Sequence, residues 1–380
     1  MRKAEIIDVL QKTAENPDWK VRQWKEQGGG RAIGFLLTDV PEELIHAAGF
    51  FPYGISGGHA RLDFADAHLQ TWACSFIRSS LALALEGKLD FLDGLIIPQN
   101  CDTTRTISGI WQHAHPLPFL QEYRLPRQVD RPSARDFLIY ELTRLKEELE
   151  KFSGTKIAAE KIKESIALYN SNRRLLSGLF TLHDKNPAAI SNKELYTIIK
   201  ASMLIPREEL NWLLHKLVSA LMLEEVLPGD KIRLFISGTL LEPLEILDLM
   251  DESGVVVVGD DLQNGFRYIE AGVQESGDPL EALADRQLKR IPSASYDLLH
   301  NPRRHFLVKE AQEKKIHGII FLHLKHCEPE NYDYYDNMQA FERAGIPAMR
   351  IETEFGSTLS GQVRTRVQAF IEMVGGENNV

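Results

Sequence analysis

The chain has 380 residues, 43% of them hydrophobic and 26% charged, with a formal net charge of −10 at pH 7. That length exceeds one ordinary core and implies about two or three domains, while the acidic balance argues against nucleic acid or anionic membrane as a partner. No apolar run reaches bilayer-spanning length and the opening segment Met1–Leu10 lacks a signal-like apolar core, so a cytoplasmic protein is expected.

The elements then read in chain order. Residues 1–30 form a polar helical segment that stops at Gly28-Gly29-Gly30. Ala32–Leu37 is a strand, Pro41–Ala48 a short helix opened by proline and stopped by Gly49, and Phe51–Ile55 a second strand. Phe76–Glu86 reads as a helix, Phe91–Ile97 as a strand and Thr103–Trp111 as a helix. Such alternation predicts a parallel sheet covered on both faces. From about Ala134 the pattern turns helical, as in Leu142, Leu145 and Leu149, and it stays so to Leu227. Pro228-Gly229-Asp230 marks a boundary. Beyond it Ile232–Ile236, Val255–Val258, Ile319–Leu322 and Ala348–Ile351 read as strands, with helices at Leu244–Met250, Tyr335–Ala344 and Gln362–Met373. The expected fold is α/β: two Rossmann-like parallel-sheet domains, residues 31–133 and 229–380, joined by a helical segment, residues 134–228, and preceded by residues 1–30.

Three cysteines, Cys74, Cys101 and Cys327, cannot all pair within the chain, so a disulfide framework is not expected. Three reduced core thiols is the plain alternative. Their placement argues otherwise. Cys101 and Cys327 each follow a buried strand and precede a helix, the position where open parallel sheets bind ligands. Cys74 also stands at a helix start, and a helix N-terminus favours the thiolate that metals bind. There is no Cys-x-x-Cys pair of the kind that staples structural zinc. A zinc site completed by His326 beside Cys327 stays open, as does a ligand-clamping protein without redox chemistry.

Several blocks of the sequence carry a family resemblance. They are Arg31–Phe35, Val40–Gly49 with Pro52, Gly54–Gly58, Cys74–Ser80, Leu83–Asp90, Leu92-Asp93-Gly94 with Pro98, and Cys101-Asp102-Thr103 with Arg105. In the last third they are Ser237-Gly238, Asp260-Asp261, Gly265, Arg267-Tyr268, Asp278-Pro279-Leu280, Cys327 and Gly361–Arg366. Together these blocks resemble the family of 2-hydroxyacyl-CoA dehydratases and ATP-dependent benzoyl-CoA reductases, and the resemblance implies a 4Fe–4S cluster held by Cys74, Cys101 and Cys327. It also implies a homologous second cluster-bearing subunit, and an ATP-hydrolysing activator, carrying its own 4Fe–4S cluster, that injects a low-potential electron to reduce an acyl-CoA thioester. Together with Trp24-Lys25-Glu26, the opening block looks most like the smaller cluster-bearing subunit of benzoyl-CoA reductase, which favours an aromatic acyl-CoA over a 2-hydroxyacyl-CoA.

On that reading the ring would lie against Phe50, Phe51 and Tyr53 and the thioester near Thr38 and the cluster. Leu37-Thr38 stand where the family often has Cys-Ser, and Gln99-Asn100 where many relatives have histidine, which leaves the proton donor open. Arg78 and Arg105 each lie one helical turn past a cysteine, where a cation would stabilise a reduced cluster or an oxyanion; surface ion pairs are the plain alternative. Asp102 is expected to cap its helix. Asp260-Asp261 read as turn caps and His46 as structural.

Overall fold

Largely apolar runs form the inner strands of the two sheets. The computed structural model describes residues 1–58, 60–225, 231–296, 301–356 and 358–376, so the Pro228-Gly229-Asp230 boundary lies outside the described residues. β1 (Ala32–Leu36) is buried at every position, pairs in parallel with β2 (Phe51–Ile55) on one side, and with β3 (Gly94–Gln99) on the other. β3 carries β4 (Phe119–Arg124) at the edge, giving the order β2-β1-β3-β4. The second sheet repeats the plan. β5 (Ile232–Gly238) lies between β6 (Val255–Asp260) and β7 (Gly318–Leu324), with β8 (Ala348–Thr353) outside β7, in the order β6-β5-β7-β8 and again all parallel.

In both sheets the chain winds one way from the first strand and then the other. The crevice therefore opens between the carboxyl ends of β1 and β3 in one sheet and of β5 and β7 in the other, the general ligand position of such sheets. Cys101 follows β3 and Cys327 follows β7.

The middle helices cover the sheets. Leu138, Leu142, Leu145 and Leu149 on the Pro132–Ser153 helix recur on one face and join Ile33, Phe35 and Ile96 of the first sheet in one core. Burying each such leucine is worth roughly 1.5–3 kcal/mol. The Asn192–Ser202 and Arg207–Leu221 helices, together with Ile6 and Leu10 of the Lys3–Glu15 helix, share a core with Leu234, Ile236 and Ile320 of the second sheet. No helix among the described residues is long and apolar enough to cross a membrane.

Most expected elements form within a residue or two of their expected bounds. β3 is displaced: it spans Gly94–Gln99, later than the expected Phe91–Ile97. The helix after Cys327 begins directly at Glu328, well before Tyr335. β4 has no counterpart in the sequence reading, because its Gln121-Glu122 centre is polar and half exposed, as an edge strand allows.

Candidate cluster site

All three cysteines are helix N-caps. Cys74 precedes the Ser75–Leu85 helix, Cys101 the Asp102–Ala114 helix and Cys327 the Glu328–Arg343 helix. Each sulfur therefore faces amides that a helix leaves unpaired. At Cys74 and Cys327 the side chain makes no capping hydrogen bond, and the amides of Phe76 and Ile77, and that of Glu330, act on the sulfurs only by favouring the thiolate. At Cys101 the Thr104 hydroxyl closes the turn. It accepts from the amides of Asn100 and Cys101, both at 2.9 Å, and lies 3.6 Å from the Cys101 sulfur. The capping expected of Asp102 falls to Cys101 and Thr104, since Asp102 is already the first helical residue and points to Arg105.

The three thiols line one cavity of about 40 Å³ at the meeting of the two crevices, walled by Leu37, Phe76, Ile77 and Leu324, with Asn100, Thr104, Thr239, Gln263, Arg267 and Glu330 as polar lining. Cys74 and Cys327 are each only 9% exposed. Burial dominates their titration. It pushes the Cys74 thiol up to about 12, with Cys101 adding to the shift. Cys327 is raised too, first by burial and then by Glu330 and Cys74. The helix-terminal amides pull the other way and lose. The helix starts thus favour the thiolate as expected, but for these buried sulfurs desolvation costs more than a few amides return.

Does this donor set fit a metal group? Among the described residues, no three or more Cys, His, Asp or Glu side chains converge tightly enough for a single ion. A zinc centre completed by His326 is not formed. His326 is exposed, and its left-handed backbone (φ 65°) turns the chain from β7 toward Cys327. Thiols spread around a cavity suit a polynuclear group, in which each sulfur takes a different iron, and all-sulfur donors suit iron–sulfur chemistry. The buried Asn100 Oδ1 on the cavity wall has no hydrogen-bond partner, which leaves one acceptor toward an occupant.

The crevices are locked together by Asp39, just beyond β1. Its carboxylate accepts from the Asn100 side-chain amide, from Gln263 Nε2 at 3.2 Å, from Gln287 Nε2 at 3.2 Å and from Arg290 Nη1 at 2.9 Å. Thr38 belongs to the same network. Its hydroxyl donates to Gln263 Oε1 and accepts from Arg290 Nη2 at 3.2 Å. Its hydrogen bonds are thus spent in joining the two halves.

The other expected contacts lie elsewhere. Phe51 packs edge-on against Trp24 and Tyr53 against Phe91, while Phe50 meets Phe152; all three are core and none lines the cysteine cavity. The reason is topological: β2 is the strand beyond β1, one strand away from the crevice. Arg78 is buried and bound through Nε and Nη2 to Asp66 at 2.8 Å, with Glu354 at 3.5 Å. Arg105 is exposed, 3.7 Å from Asp102. Both arginines form ion pairs. His46 is held between Ser165 and Glu208, each at 3.0 Å. Asp260 caps the amides of Leu262 and Phe266, and Asp261 binds Arg303.

A larger cleft of about 1030 Å³ between the N-terminal helices and the Asn192–Ser202 helix touches none of the cysteines. Its lining includes Glu15, Asp18, Glu86, Glu194, Glu242, Glu245, Asp248 and Asp251 against Arg22, Lys88, Lys193 and Lys200, an excess of negative charge that repels phosphate groups.

A family model described as 2-hydroxyglutaryl-CoA dehydratase, D-component, matches residues 37–374. The chain is 31% identical over 337 residues to one of the subunits of benzoyl-CoA reductase from Thauera aromatica, covering 87% of each. It is 30% identical over 359 residues to the (R)-phenyllactyl-CoA dehydratase beta subunit of Clostridium sporogenes, covering 94% of this chain and 96% of that one. It is 27% identical to the (R)-2-hydroxyglutaryl-CoA dehydratase beta subunit of Acidaminococcus fermentans over 97% of this chain and 98% of that one.

Proposed function

This chain belongs to the 2-hydroxyglutaryl-CoA dehydratase D-component family, and from that membership we propose that it is the 4Fe–4S-bearing subunit of a heteromeric, oxygen-sensitive enzyme that reduces an aromatic acyl-CoA. Cys74, Cys101 and Cys327 are its iron ligands. The observation that carries the reading is that three thiols far apart in sequence, each at a helix start, line one small cavity. When bound, such a cluster supplies single electrons at low potential. A homologous second subunit and an ATP-hydrolysing activator with its own cluster complete the system, and the protein works in the cytoplasm.

The chain's own residues supply the setting. Phe76, Ile77 and Leu324 form an apolar wall beside the sulfurs, which limits the access of water to a strongly reducing centre. The Arg267 guanidinium, fixed by the carbonyls of Asp261 at 3.0 Å and Ile291 at 2.5 Å and paired with the Asp261 carboxylate at 3.6 Å, is a preset, partly compensated positive charge on the cavity wall. A charge held so rigidly favours negative charge developing on a thioester oxygen without reorganisation. Buried Asn100 and Gln263 offer neutral polar groups beside it.

The aromatic substrate rests on two relatives whose names carry a ring-bearing acyl group, a benzoyl and a phenyllactyl thioester, together with the reductase-like opening block. The second reading is dehydration of an (R)-2-hydroxyacyl-CoA. The phenyllactyl-CoA dehydratase match favours it, since it covers more of the chain than the benzoyl-CoA reductase match. The deciding experiment is an anaerobic assay of the co-expressed complex with activator, ATP and a low-potential reductant, offered benzoyl-CoA and (R)-phenyllactyl-CoA in parallel. A dienoyl-CoA product supports ring reduction. Loss of water from the hydroxy substrate, with benzoyl-CoA untouched, assigns the chain to the dehydratases.

A further inference from the structure

The crevice of the second sheet presents a hydroxyl to a cysteine. β5 ends at Gly238 and Thr239 follows, beside the segment that carries Cys327 away from β7. A Cβ at Gly238 would run into the carbonyl oxygen of Leu322, so only glycine lets the strands approach this closely. The Gly238 amide also donates to Asp261 Oδ1 at 3.0 Å, which fixes the strand end. Thr239 Oγ1 consequently donates to Glu330 Oε1 at 3.2 Å and stands 3.4 Å from Cys327 Sγ, where either atom can be the donor while Cys327 is a thiol. Glu330 is buried, and Arg303 Nη1 donates to its other oxygen at 2.9 Å. Arg303 itself is anchored on Asp261 at 2.7 Å, Asp333 at 2.9 Å and Ser237 at 3.2 Å.

We propose that Thr239 tunes the cluster's reduction potential by donating its hydroxyl proton to the Cys327 sulfur, with Arg303 and Glu330 positioning the hydroxyl. The inference rests on the cluster reading above. An iron-bound cysteine has lost its own proton, so its sulfur only accepts. Arg303 meets the charge of Glu330 and so weakens that carboxylate's competition for the single hydroxyl proton. Reduction adds negative charge to the cluster and its sulfurs, and a hydrogen bond to sulfur stabilises the more negative state. Thr239 thus makes the cluster easier to reduce. Cys101 also has a threonine hydroxyl beside its sulfur, Thr104 Oγ1 at 3.6 Å, but that hydroxyl belongs to the cysteine's own helix turn and is shared with the Cys101 carbonyl at 3.0 Å.

The test is a redox titration, followed by electron paramagnetic resonance, of the anaerobically reconstituted full complex. It compares wild type with Thr239→Val, Thr239→Ala and Thr239→Ser. Iron and sulfide are measured first, and a wild type that carries no cluster overturns the cluster reading itself. With the cluster present, Val and Ala are expected to lower the reduction equilibrium constant about tenfold, 59 mV for a one-electron couple. Ser keeps the wild-type value. A deuterium-sensitive iron–sulfur stretching band, present in wild type and Ser, should vanish in Val and Ala. The inference is overturned if Val and Ala titrate with wild type, if Ser shifts as far as they do, or if every variant including Ser fails to load, which would assign Thr239 to packing alone.

Discussion

Arg290 and Asp39 meet at 2.9 Å in the interior, their side chains 1% and 5% exposed. Asp39 follows the first strand of the first sheet, and Arg290 follows the Pro279–Lys289 helix of the second half. This pair and the amides around Asp39 set the spacing between the two crevices from which the cysteines project.

Breaking that pair should loosen the whole site. Arg290→Ala leaves the Asp39 carboxylate buried without its cation, and loss of one partner of a buried pair costs about 3–5 kcal/mol. Chemical denaturation under argon should show a drop of that order. Iron retention should fall with it, since Cys101 and Cys327 sit on opposite sides of the clasp.

Gly238→Ala should act on the same site from within one sheet. The added methyl meets the Leu322 carbonyl, and overpacking of this kind costs about 1–3 kcal/mol. The variant is expected to melt earlier and to bind iron poorly, because β5 and β7 carry Thr239 and Cys327 apart. Gly277→Ala is the control on the glycine-to-alanine change itself. Gly277 has nothing within reach of a new Cβ but sits at φ +87°, so it should lose some stability from backbone strain and keep its iron.

Two buried groups should oppose each other in the pH dependence of stability. Burial raises Asp260 from 3.8 to about 6, partly offset by Tyr196 and the amides of Phe266 and Leu262. Between those values the folded state holds a proton that the unfolded state releases, so this group makes stability fall as pH rises from about 4 to about 6. Burial and the charges of Arg350 and Arg303 lower His323 from 6.5 to about 4. There the unfolded state holds the extra proton, so stability falls as pH drops from about 6.5 to about 4. Each contribution is on the order of 3 kcal/mol, and in the wild type the two oppose each other across their shared window. Asp260→Asn should unmask the loss toward acid; His323→Phe should unmask the loss toward neutrality. Parallel curves for both variants would refute the assignment.

How much of this was legible in the sequence follows from what sets each feature. Short, uncharged β-branched runs such as Val255–Val258 read as buried strands, and Cys101 and Cys327 follow such runs within a few residues, so their place at the crevices was readable. Thr38 at the end of β1 was readable as a strand-end hydroxyl. Thr239 has the same place after β5, directly behind Ser237-Gly238, and that signal was present and unused. Arg290, Arg303 and Glu330 were not readable, because their partners Asp39, Asp261 and Thr239 are remote in sequence and meet only through sheet order. Phe51 and Tyr53 misled because an aromatic strand looks alike at a crevice and at an outer strand; only the order β2-β1-β3-β4 separates the two. The thiol shifts depended on the balance between burial and helix amides, and local sequence shows only the amides.

The most direct test of the central claim is iron and acid-labile sulfide, with the Mössbauer spectrum, of the anaerobically isolated chain in its complex, measured beside Cys74→Ala, Cys101→Ala and Cys327→Ala. The account predicts about four irons bound to this chain, in a 4Fe–4S spectrum, and loss or breakdown of that spectrum in each of the three variants, with the folded chain retained. Iron-free wild-type chain after anaerobic reconstitution, or a full 4Fe–4S spectrum that survives in any one variant, would contradict it.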